Sequence, residues 1–286
     1  MIIDLKNKDM SLSEAIFMAK RGDTILLDNK EYFEKIELDK PDITIIGDNS
    51  IINYNSPARS INPNTNKNYG TSGSATFRLG QNGNNFKCYN VTFINSHKKD
   101  GDDGNQAVAF KSEASNILIN NCKFISSQDT LYLDIGINNL IIDSYIEGDV
   151  DFIFGSSDCL FKNCEIISKS DYKHAFFLAP STLAINTHGF VFKDCDFEAK
   201  IHTILCRRWF PTSQVSPVIP RFSIIDSNLI GDIDLSVIKM KDKDLEIDKH
   251  SIINSRLNEK LISDIGNCDI EYINKVLEYH KNNICL

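Results

Sequence analysis

The chain repeats one short phrase, first clearly as Asn121-Cys-Lys-Phe124 and then as Asp143-Ser-Tyr-Ile146 and Asn163-Cys-Glu-Ile166. Each copy has polar residues, a small residue among them, and ends at a large apolar residue. With related phrases before and after, these end residues fall at positions 93, 124, 146, 166, 197 and 229, in steps of 31, 22, 20, 31 and 32. Repeats of about 20 residues or more, with β-type alternation and polar turns, are typical of a solenoid of stacked parallel strands.

The repeat predicts an all-β fold, a right-handed parallel β-helix that forms a single domain over residues 1–286. The longer steps then contain loop insertions. A doubly wound α/β domain is the alternative, but the segments between the predicted strands lack a helical period.

The exposed ends of a solenoid need covers, and both ends of the chain contain helix signals. Residues 1–24 form a predicted N-terminal cap region, in which Ser11-Leu-Ser-Glu14 fits a capping box. Residues 230–286 form a divergent C-terminal region with a predicted capping helix. The apolar residues expected to pack are Ala15, Ile16 and Ala19 in the first helix and Ile270, Ile273, Val276 and Leu277 in the second.

Composition and charge exclude several classes of protein. Hydrophobic residues make up 42% and charged residues 24% of the 286 positions, which excludes long disorder, collagen-like repeats and membrane proteins. The net charge is −8 and no cluster of basic and aromatic residues is present, so neither a nucleic acid nor a membrane is an expected partner. No signal peptide is visible, so we expect a cytoplasmic protein. The oligomeric state stays open.

The eight cysteines lack the spacing of zinc sites and lie in apolar runs. We expect them to be reduced and mostly buried thiols. They are Cys88, Cys122, Cys159, Cys164, Cys195, Cys206, Cys268 and Cys285.

The solenoid register predicts which polar side chains meet, because equivalent positions on successive coils lie about 4.8 Å apart. Asp129 and Asp151 each follow an end residue of the repeat by five positions, so their carboxylates should stack. Gln128 follows by four positions, and so does Gln106 once the nine extra residues of its longer step are removed. Asp171 and His202 share the five-residue offset, so a structural polar ladder remains an alternative to a catalytic site.

Two stacked carboxylates cannot both ionise easily, so an acid and a base coexist at neutral pH. Two neighbouring amide groups can donate to an oxygen that gains negative charge, which acyl transfer through a tetrahedral intermediate requires. The pattern favours ester hydrolysis by a carboxylate nucleophile.

Four motifs resemble the pectin methylesterases (pectinesterases, carbohydrate esterase family 8) and occur in that family's order. They are Gln106-Ala-Val-Ala-Phe110, Gln128-Asp-Thr-Leu-Tyr132, Gly148-Asp-Val-Asp-Phe-Ile-Phe-Gly155 and Leu205-Cys-Arg-Arg-Trp209. The resemblance covers about residues 10 to 230 and includes a weaker match at Gly70-Thr-Ser-Gly-Ser-Ala-Thr76. It implies a right-handed parallel β-helix.

The resemblance also implies roles for individual residues. Asp151 would be the nucleophile and Asp129 the general acid and later base, while Gln106 and Gln128 would form the oxyanion hole and Arg207 would pair with Asp151. The sugar-binding cleft would contain Trp209, Phe154, Tyr132, Val150 and Thr71. The implied substrate is a methylated oligogalacturonide or pectin, and neither a metal nor another cofactor is required.

Three residues depart from the family's pattern: Lys30, and Cys206 and Arg208 on either side of Arg207. We expect the last two to change the shape and charge of the cleft next to Trp209. Two other functions compete with the esterase. One is a polygalacturonase-like glycoside hydrolase, suggested by Gly101-Asp-Asp-Gly104 and His188-Gly189, which turn chemistry explains better. The other is a β-helix that binds pectic oligosaccharides without chemistry.

Overall fold

The computed structural model describes residues 1–98, 105–169, 175–211, 217–239, 249–262 and 270–284. Nearly all of its regular structure is short strands. The first half contains β1 (Ile2–Asp4), α1 (Leu12–Met18), β2 (Thr24–Leu26), β3 (Glu31–Phe33), β4 (Ile36–Leu38), β5 (Thr44–Tyr54), β6 (Ile61–Asn62), β7 (Lys67–Asn68), α2 (Gly70–Gly73), β8 (Phe77–Leu79), β9 (Lys87–Asn95), β10 (Phe110–Ser112), β11 (Leu118–Asn120), β12 (Lys123–Ile125) and β13 (Leu131–Leu133). The second half contains β14 (Asn139–Ile142), β15 (Tyr145–Gly148), β16 (Ile153–Gly155), β17 (Cys159–Lys162), β18 (Glu165–Ser168), β19 (Ala175–Pro180), β20 (Phe190–Lys193), β21 (Asp196–Arg208), β22 (Arg221–Ile225), β23 (Asn228–Lys239), β24 (Lys249–Ile253), β25 (Ser255–Leu257), β26 (Lys260–Ile262) and α3 (Ile270–His280).

The strands stack in register into three long parallel sheets, which confirms the predicted parallel β-helix. The first sheet is β1, β2, β5, β9, β11, β14, β17, β20, β22 and β24. The second is β3, β5, β9, β12, β15, β18, β21, β23 and β25, with β26 added antiparallel. The third is β4, β8, β10, β13, β16, β19, β21 and β23. Four long strands bend and take part in two sheets.

The repeated phrase is the bend between the first and second sheets. Its end residues pair from coil to coil as the sequence predicts, in the order Phe93, Phe124, Ile146, Ile166, Phe197, Leu229. Most copies begin with a residue at a φ between 49° and 56°, a left-handed conformation that Asn and Asp tolerate better than other non-glycine residues. These residues are Asn121, Asp143, Asn163, Asp194 and Asp226. The phrase therefore begins with Asn or Asp because the backbone adopts a left-handed conformation there.

Large apolar side chains fill the space between the three sheets. Phe93 and Phe124 stack with ring centroids 5.5 Å apart, and Phe77 stacks on Phe110 at the same distance. Six of the cysteines are buried free thiols, as predicted: Cys88, Cys122, Cys159, Cys164, Cys195 and Cys206. Cys268 and Cys285 lie outside the described residues.

The N-terminal helix forms as predicted. Glu14 donates its backbone N–H to the Ser11 side chain at 3.1 Å, and its carboxylate accepts the Ser11 N–H at 2.9 Å, which completes the capping box. Ala15, Ile16 and Ala19 are buried in the interior of the solenoid. No helix in the described part of the chain is long and apolar enough to cross a membrane.

The C-terminal helix forms, but it packs elsewhere than over the end of the solenoid. Ile273 and Val276 are buried against outward residues of the first sheet, and Leu277 packs there too. Ile270 was predicted to pack and is 59% exposed instead. The helix lies on the side because the first sheet has an apolar outer row that needs a cover: Tyr89, Leu118, Leu140, Leu160, Val191 and Ile225. The predicted boundaries of the domain and its terminal regions stay predictions.

Candidate active site

Asp129 and Asp151 occupy equivalent turns on neighbouring coils, between the second and third sheets. The backbone N–H of Asp129 donates to the carbonyl of Val150 at 3.0 Å, and Leu131 pairs with Ile153. Both aspartates have left-handed φ angles, 66° and 53°. The predicted adjacency of the two carboxyl groups is confirmed.

Two glycines allow the Asp151 turn to lie so close to its neighbours. A Cβ on Gly148 would lie 2.2 Å from the Cβ of Phe152. Gly155 has a φ of 127°, and a Cβ there would lie 1.9 Å from the carbonyl oxygen of Leu133. The motif from Gly148 to Gly155 thus fixes the backbone on both sides of Asp151.

Arg207 holds the Asp151 carboxylate with both arms of its guanidinium group. Its Nε donates to Oδ1 at 3.0 Å, and its Nη2 donates to Oδ2. The guanidinium carbon also lies 4.4 Å from the ring centroid of Phe176. A bidentate pair of this kind fixes a carboxylate in one orientation and favours its ionised form.

Asp129 has the opposite electrostatic environment. It is 7% exposed, and burial is the main reason that its pKa lies well above the usual range of a carboxyl group, with the charge of Asp151 as the next cause. The charge of Arg207 and a hydrogen bond from Gln128 oppose this shift. Asp129 is thus shifted toward its protonated form beside a carboxylate that Arg207 orients, which is the division that the stacking of two carboxyl groups predicts.

The two glutamines lie beside this pair. The backbone N–H of Ala107 donates to the carbonyl of Gln128 at 3.0 Å, which places the backbone of Gln106 next to that of Gln128 on the preceding coil, as the register predicts. Gln128 is 9% exposed and its side chain reaches Asp129. Gln106 is half-buried at the surface of the site.

The aromatic residues predicted for the cleft form one cluster. Tyr132 stacks on Phe154 with ring centroids 4.3 Å apart, and the Trp209 ring meets them edge-on at 6.2 Å and 5.5 Å. Val150 is half-buried and directly precedes Asp151, and its carbonyl accepts the hydrogen bond from the backbone of Asp129. Thr71 lies on α2 next to Ser72. The Ser72 hydroxyl accepts a hydrogen bond from Lys111, whose ammonium group lies over the ring of Tyr132. All ten predicted site residues lie in the described part of the chain.

Sequence reasoning missed three residues near the site. Asp149 is 2% exposed and its charge raises the pKa of Asp129 further. Phe176 contacts Arg207, and Lys111 places its Nζ 4.6 Å from the ring centroid of Tyr132. Lys111 also donates to Ser72 Oγ at 2.7 Å. Lys111 pairs with Tyr132 on the neighbouring strand, so the strand register could have found it, whereas Phe176 is identified only by the observed pairing of Ile153 with Leu178.

The strand register identifies the residue that follows Asp151 on the next coil. Ile153 pairs with Leu178, so this residue is Phe176. Asp171 itself lies outside the described residues. His202 lies near the surface, where its Nδ1 is 3.1 Å from Asp232.

The two unusual neighbours of Arg207 lie on the opposite face of strand β21 from Arg207. Cys206 is completely buried in the interior of the solenoid, and Arg208 is 6% exposed. Side chains alternate along a strand, so Arg207 faces the site while the residues on either side of it point away. Among the described residues, no three His, Cys, Asp or Glu side chains are grouped to hold a metal ion.

His188-Gly189, one of the two fragments that suggested a glycoside hydrolase, is not part of this site. The backbone N–H groups of His188 and Gly189 donate to the buried carboxyl of Asp158, and the His188 ring stacks on Tyr272 of α3 at 4.1 Å. This is a turn under the C-terminal helix. Gly101-Asp-Asp-Gly104 lies outside the described residues.

Comparison with known proteins gives consistent results. Residues 6–215 match the family model described as Pectinesterase. Probable pectinesterase 8 of Arabidopsis thaliana is 32% identical over 217 residues, which cover 69% of this chain and 51% of that protein, so the chain spans about half the length of this curated relative. The pectin methylesterase of Yersinia enterocolitica superposes with a TM-score of 0.78, at 25% identity over 96% of this chain and 99% of that one. A pectin methylesterase solved in complex with a hexasaccharide superposes with a TM-score of 0.81, at 22% identity over 96% of both chains. With its motifs in the family's order and its two aspartates on adjacent coils, the chain belongs to the pectinesterase family.

Proposed function

We propose that the protein hydrolyses the methyl esters of galacturonate residues in pectin-derived oligosaccharides and releases methanol. One observation carries the proposal: a buried Asp129 with a raised pKa lies beside an Asp151 that Arg207 holds with two hydrogen bonds. A protonated acid next to an oriented carboxylate is the pair that ester hydrolysis without a metal needs.

The reaction begins when the Asp151 carboxylate attacks the carbonyl carbon of the ester. The amide groups of Gln106 and Gln128 stabilise the negative charge that develops on the carbonyl oxygen. Asp129 donates its proton to the departing methanol, which leaves an anhydride between the uronate and Asp151. Asp129 then accepts a proton from water, whose oxygen attacks the anhydride and frees the uronate and Asp151.

The sugar chain would lie along the cluster of Tyr132, Phe154 and Trp209, because aromatic rings offer a flat apolar surface to the C–H face of a sugar. The hexasaccharide bound by a pectin methylesterase of the same fold supports an extended cleft. A methylated oligogalacturonide or pectin is therefore the proposed partner. The cytoplasmic location expected from the sequence stays a prediction, which fractionation of native cells would test.

A methanol-release assay on highly methylated pectin and on short methylated oligogalacturonides tests the proposal directly. The esterase should release methanol without forming new reducing ends. New reducing ends without methanol would identify a glycoside hydrolase instead. Measurable binding of oligogalacturonides with no turnover of either kind would identify a binding protein.

Removing either oxyanion donor should slow the reaction without abolishing it. Gln106→Ala and Gln128→Ala should each reduce kcat for methanol release by about 10² to 10³, because each removes one donor to the developing charge. Gln128→Ala also removes a hydrogen bond that lowers the pKa of Asp129, so its pH profile should shift upward on the alkaline side. Unchanged kcat in both variants would exclude an oxyanion hole at this position.

Arg207 and its neighbour should respond differently to the same change. Arg207→Lys should reduce kcat by about 10- to 100-fold, because an ammonium group cannot reproduce the bidentate hydrogen bonds to Asp151. Arg208→Lys should lower the melting temperature and leave kcat near the wild-type value, since Arg208 is buried and faces away from the site. Equal kcat losses in the two variants, measured with matched melting curves, would contradict this assignment.

A further inference from the structure

A second cleft opens on the third sheet, on the N-terminal side of the candidate active site. It has a volume of about 430 Å³, and its lining includes Lys35, Tyr54, Asn62, Tyr69, Ser72 and Arg78. Nothing in the proposed ester hydrolysis uses these side chains. We call it the Lys35 cleft.

Lys35 is the distinctive group of this cleft. Its Nζ donates to the carbonyl oxygen of Ala75 at 2.6 Å and to Ser56 Oγ at 3.0 Å, both neutral acceptors. It also lies 4.7 Å from the ring centroid of Tyr69 and 6.0 Å from that of Tyr54. An ammonium group has three N–H donors, so two neutral acceptors leave one of them for a ligand.

The ionic partners in the cleft are distributed unevenly. Arg78 is neutralised by Glu37 and Glu113, each at 2.8 Å. Within the described ranges, no carboxylate lies within ion-pair distance of Lys35. Burial without such a partner lowers the pKa of Lys35 to about 8. A bound carboxylate would supply the missing counter-charge and restore the ordinary pKa.

The cleft is aligned with the active site along the solenoid axis. The outward residues of the third sheet pair in one row from Glu37 through Arg78 and Lys111 to Tyr132 and Phe154. Strand β4, which follows Lys35, is three strand spacings from β13, which follows Asp129, a distance of about 14 Å. Several linked sugar residues would span that distance.

The two regions are also joined by direct contacts. Ser72 lines the Lys35 cleft and accepts the hydrogen bond from Lys111, whose ammonium group covers Tyr132. Ala75, whose carbonyl binds Lys35, packs in the same apolar cluster as Phe154 and Trp209. A chain that leaves the aromatic cluster in the N-terminal direction thus passes Lys111 and Arg78 and reaches Lys35.

We propose that the Lys35 cleft binds the free carboxylate of a uronate residue in the same sugar chain, several residues away from the ester that is cleaved. The identity of the chain rests on the proposed function; the cationic site itself rests on the geometry of the cleft. The enzyme would then prefer esters that have an already de-esterified residue at this distance. A single local cation can favour such a carboxylate even though the net charge of the protein is −8.

The test is direct binding of unmethylated hexagalacturonate, measured by titration calorimetry, because it needs no turnover. Lys35→Met, which keeps the aliphatic stem, should raise Kd about 10- to 100-fold. Lys67→Met is the matched control: Lys67 is exposed on the β6–β7 hairpin beside the cleft, and its loss should leave Kd unchanged. A hexamer with its carboxylates converted to uncharged amides should bind the wild type and Lys35→Met equally.

A pH series provides a second and independent readout. Lys35 loses its charge as pH rises through about 8, so wild-type affinity for hexagalacturonate should fall between pH 7 and pH 9.5. Lys35→Arg keeps its charge over this range, so its affinity should stay nearly constant. The other charged or titratable groups facing Lys35 are Glu37, Tyr54, Tyr69 and Arg78, and they are identical in both proteins.

Equal Kd values for the wild type and Lys35→Met, or the same loss in Lys67→Met, would overturn the proposal. So would a wild type and Lys35→Arg with the same pH dependence. Because binding is measured without turnover, these outcomes are distinct from a failure of methanol release, which would overturn the proposed function instead.

Discussion

Asp151→Asn should reduce methanol release by about 10⁴-fold or more, in line with the loss of a nucleophile in other covalent hydrolases. The amide cannot attack the ester as a carboxylate does, and it offers Arg207 one neutral acceptor in place of two charged oxygens. The fold should remain intact, because Asn tolerates the left-handed φ of 53° at this position. The measurement is kcat on methylated oligogalacturonide together with a melting curve.

Asp143→Asn is the control for this change. Asp143 also has a left-handed φ, of 51°, but it lies at the exposed bend between the first and second sheets. The control variant should therefore keep the wild-type rate. If Asp151→Asn retained substantial activity while folded, Asp151 could not be the nucleophile, and the motif correspondence would be wrong.

The sequence was sufficient for the fold and for the centre of the site because both depend on register. Phe124 and Ile146 mark one position on successive coils, and their pairing places Asp129 beside Asp151. A solenoid repeats its geometry with each coil, so residues at the same distance from the repeated phrase lie at equivalent places on successive coils. No tertiary information beyond the repeat is needed for that step.

Register reasoning failed where an insertion interrupts the count. Five residues after Ile166 the sequence has Asp171, but the strand pairing puts Phe176 opposite Asp151. The sequence shows that the step from Ile166 is longer than the one before it, but not on which side of the site the extra residues lie. The sequence therefore predicts how many residues a coil contains, but not how those residues are divided among the turns of the coil.

Side-chain direction and non-local packing were the other gaps. The motif assigned the pair with Asp151 to Arg207 correctly, but the direction of Cys206 and Arg208 follows only from strand alternation. The C-terminal helix was predicted at an end of the solenoid and lies along its first sheet, because the apolar outer row of that sheet is visible only once the strands are stacked. The Lys35 cleft likewise depends on residues from three separate segments.

Asp129→Asn should reduce kcat, and it should also make the stability of the folded protein less dependent on pH. Loss of the general acid and base should reduce kcat by about 10² to 10⁴. The wild-type rate should itself fall on the alkaline side, as Asp129 loses its proton above its raised pKa. The variant lacks this group, so its remaining activity should lose that alkaline limb.

The effect on stability follows from the difference in pKa between the folded and unfolded states. In the unfolded chain Asp129 releases its proton near pH 4, while the folded protein holds the proton until a higher pH. Stability is therefore lost as pH rises from about 4 through the raised pKa, and the penalty is complete above it. Asp129→Asn removes the titrating group, so its melting temperature should decline less than that of the wild type from pH 5 to pH 9.

Asp158 provides the comparison that separates catalysis from burial. It is 5% exposed and burial raises its pKa too, but it binds the backbone of the turn under α3 rather than the active site. Asp158→Asn should change the melting temperature and leave kcat unchanged, whereas Asp129→Asn should change both. A wild-type rate in Asp129→Asn, or a melting profile parallel to that of the wild type, would contradict the protonated state assigned to Asp129. A raised pKa on its own indicates only burial; at Asp129 it indicates an acid because the neighbouring carboxylate is held by Arg207.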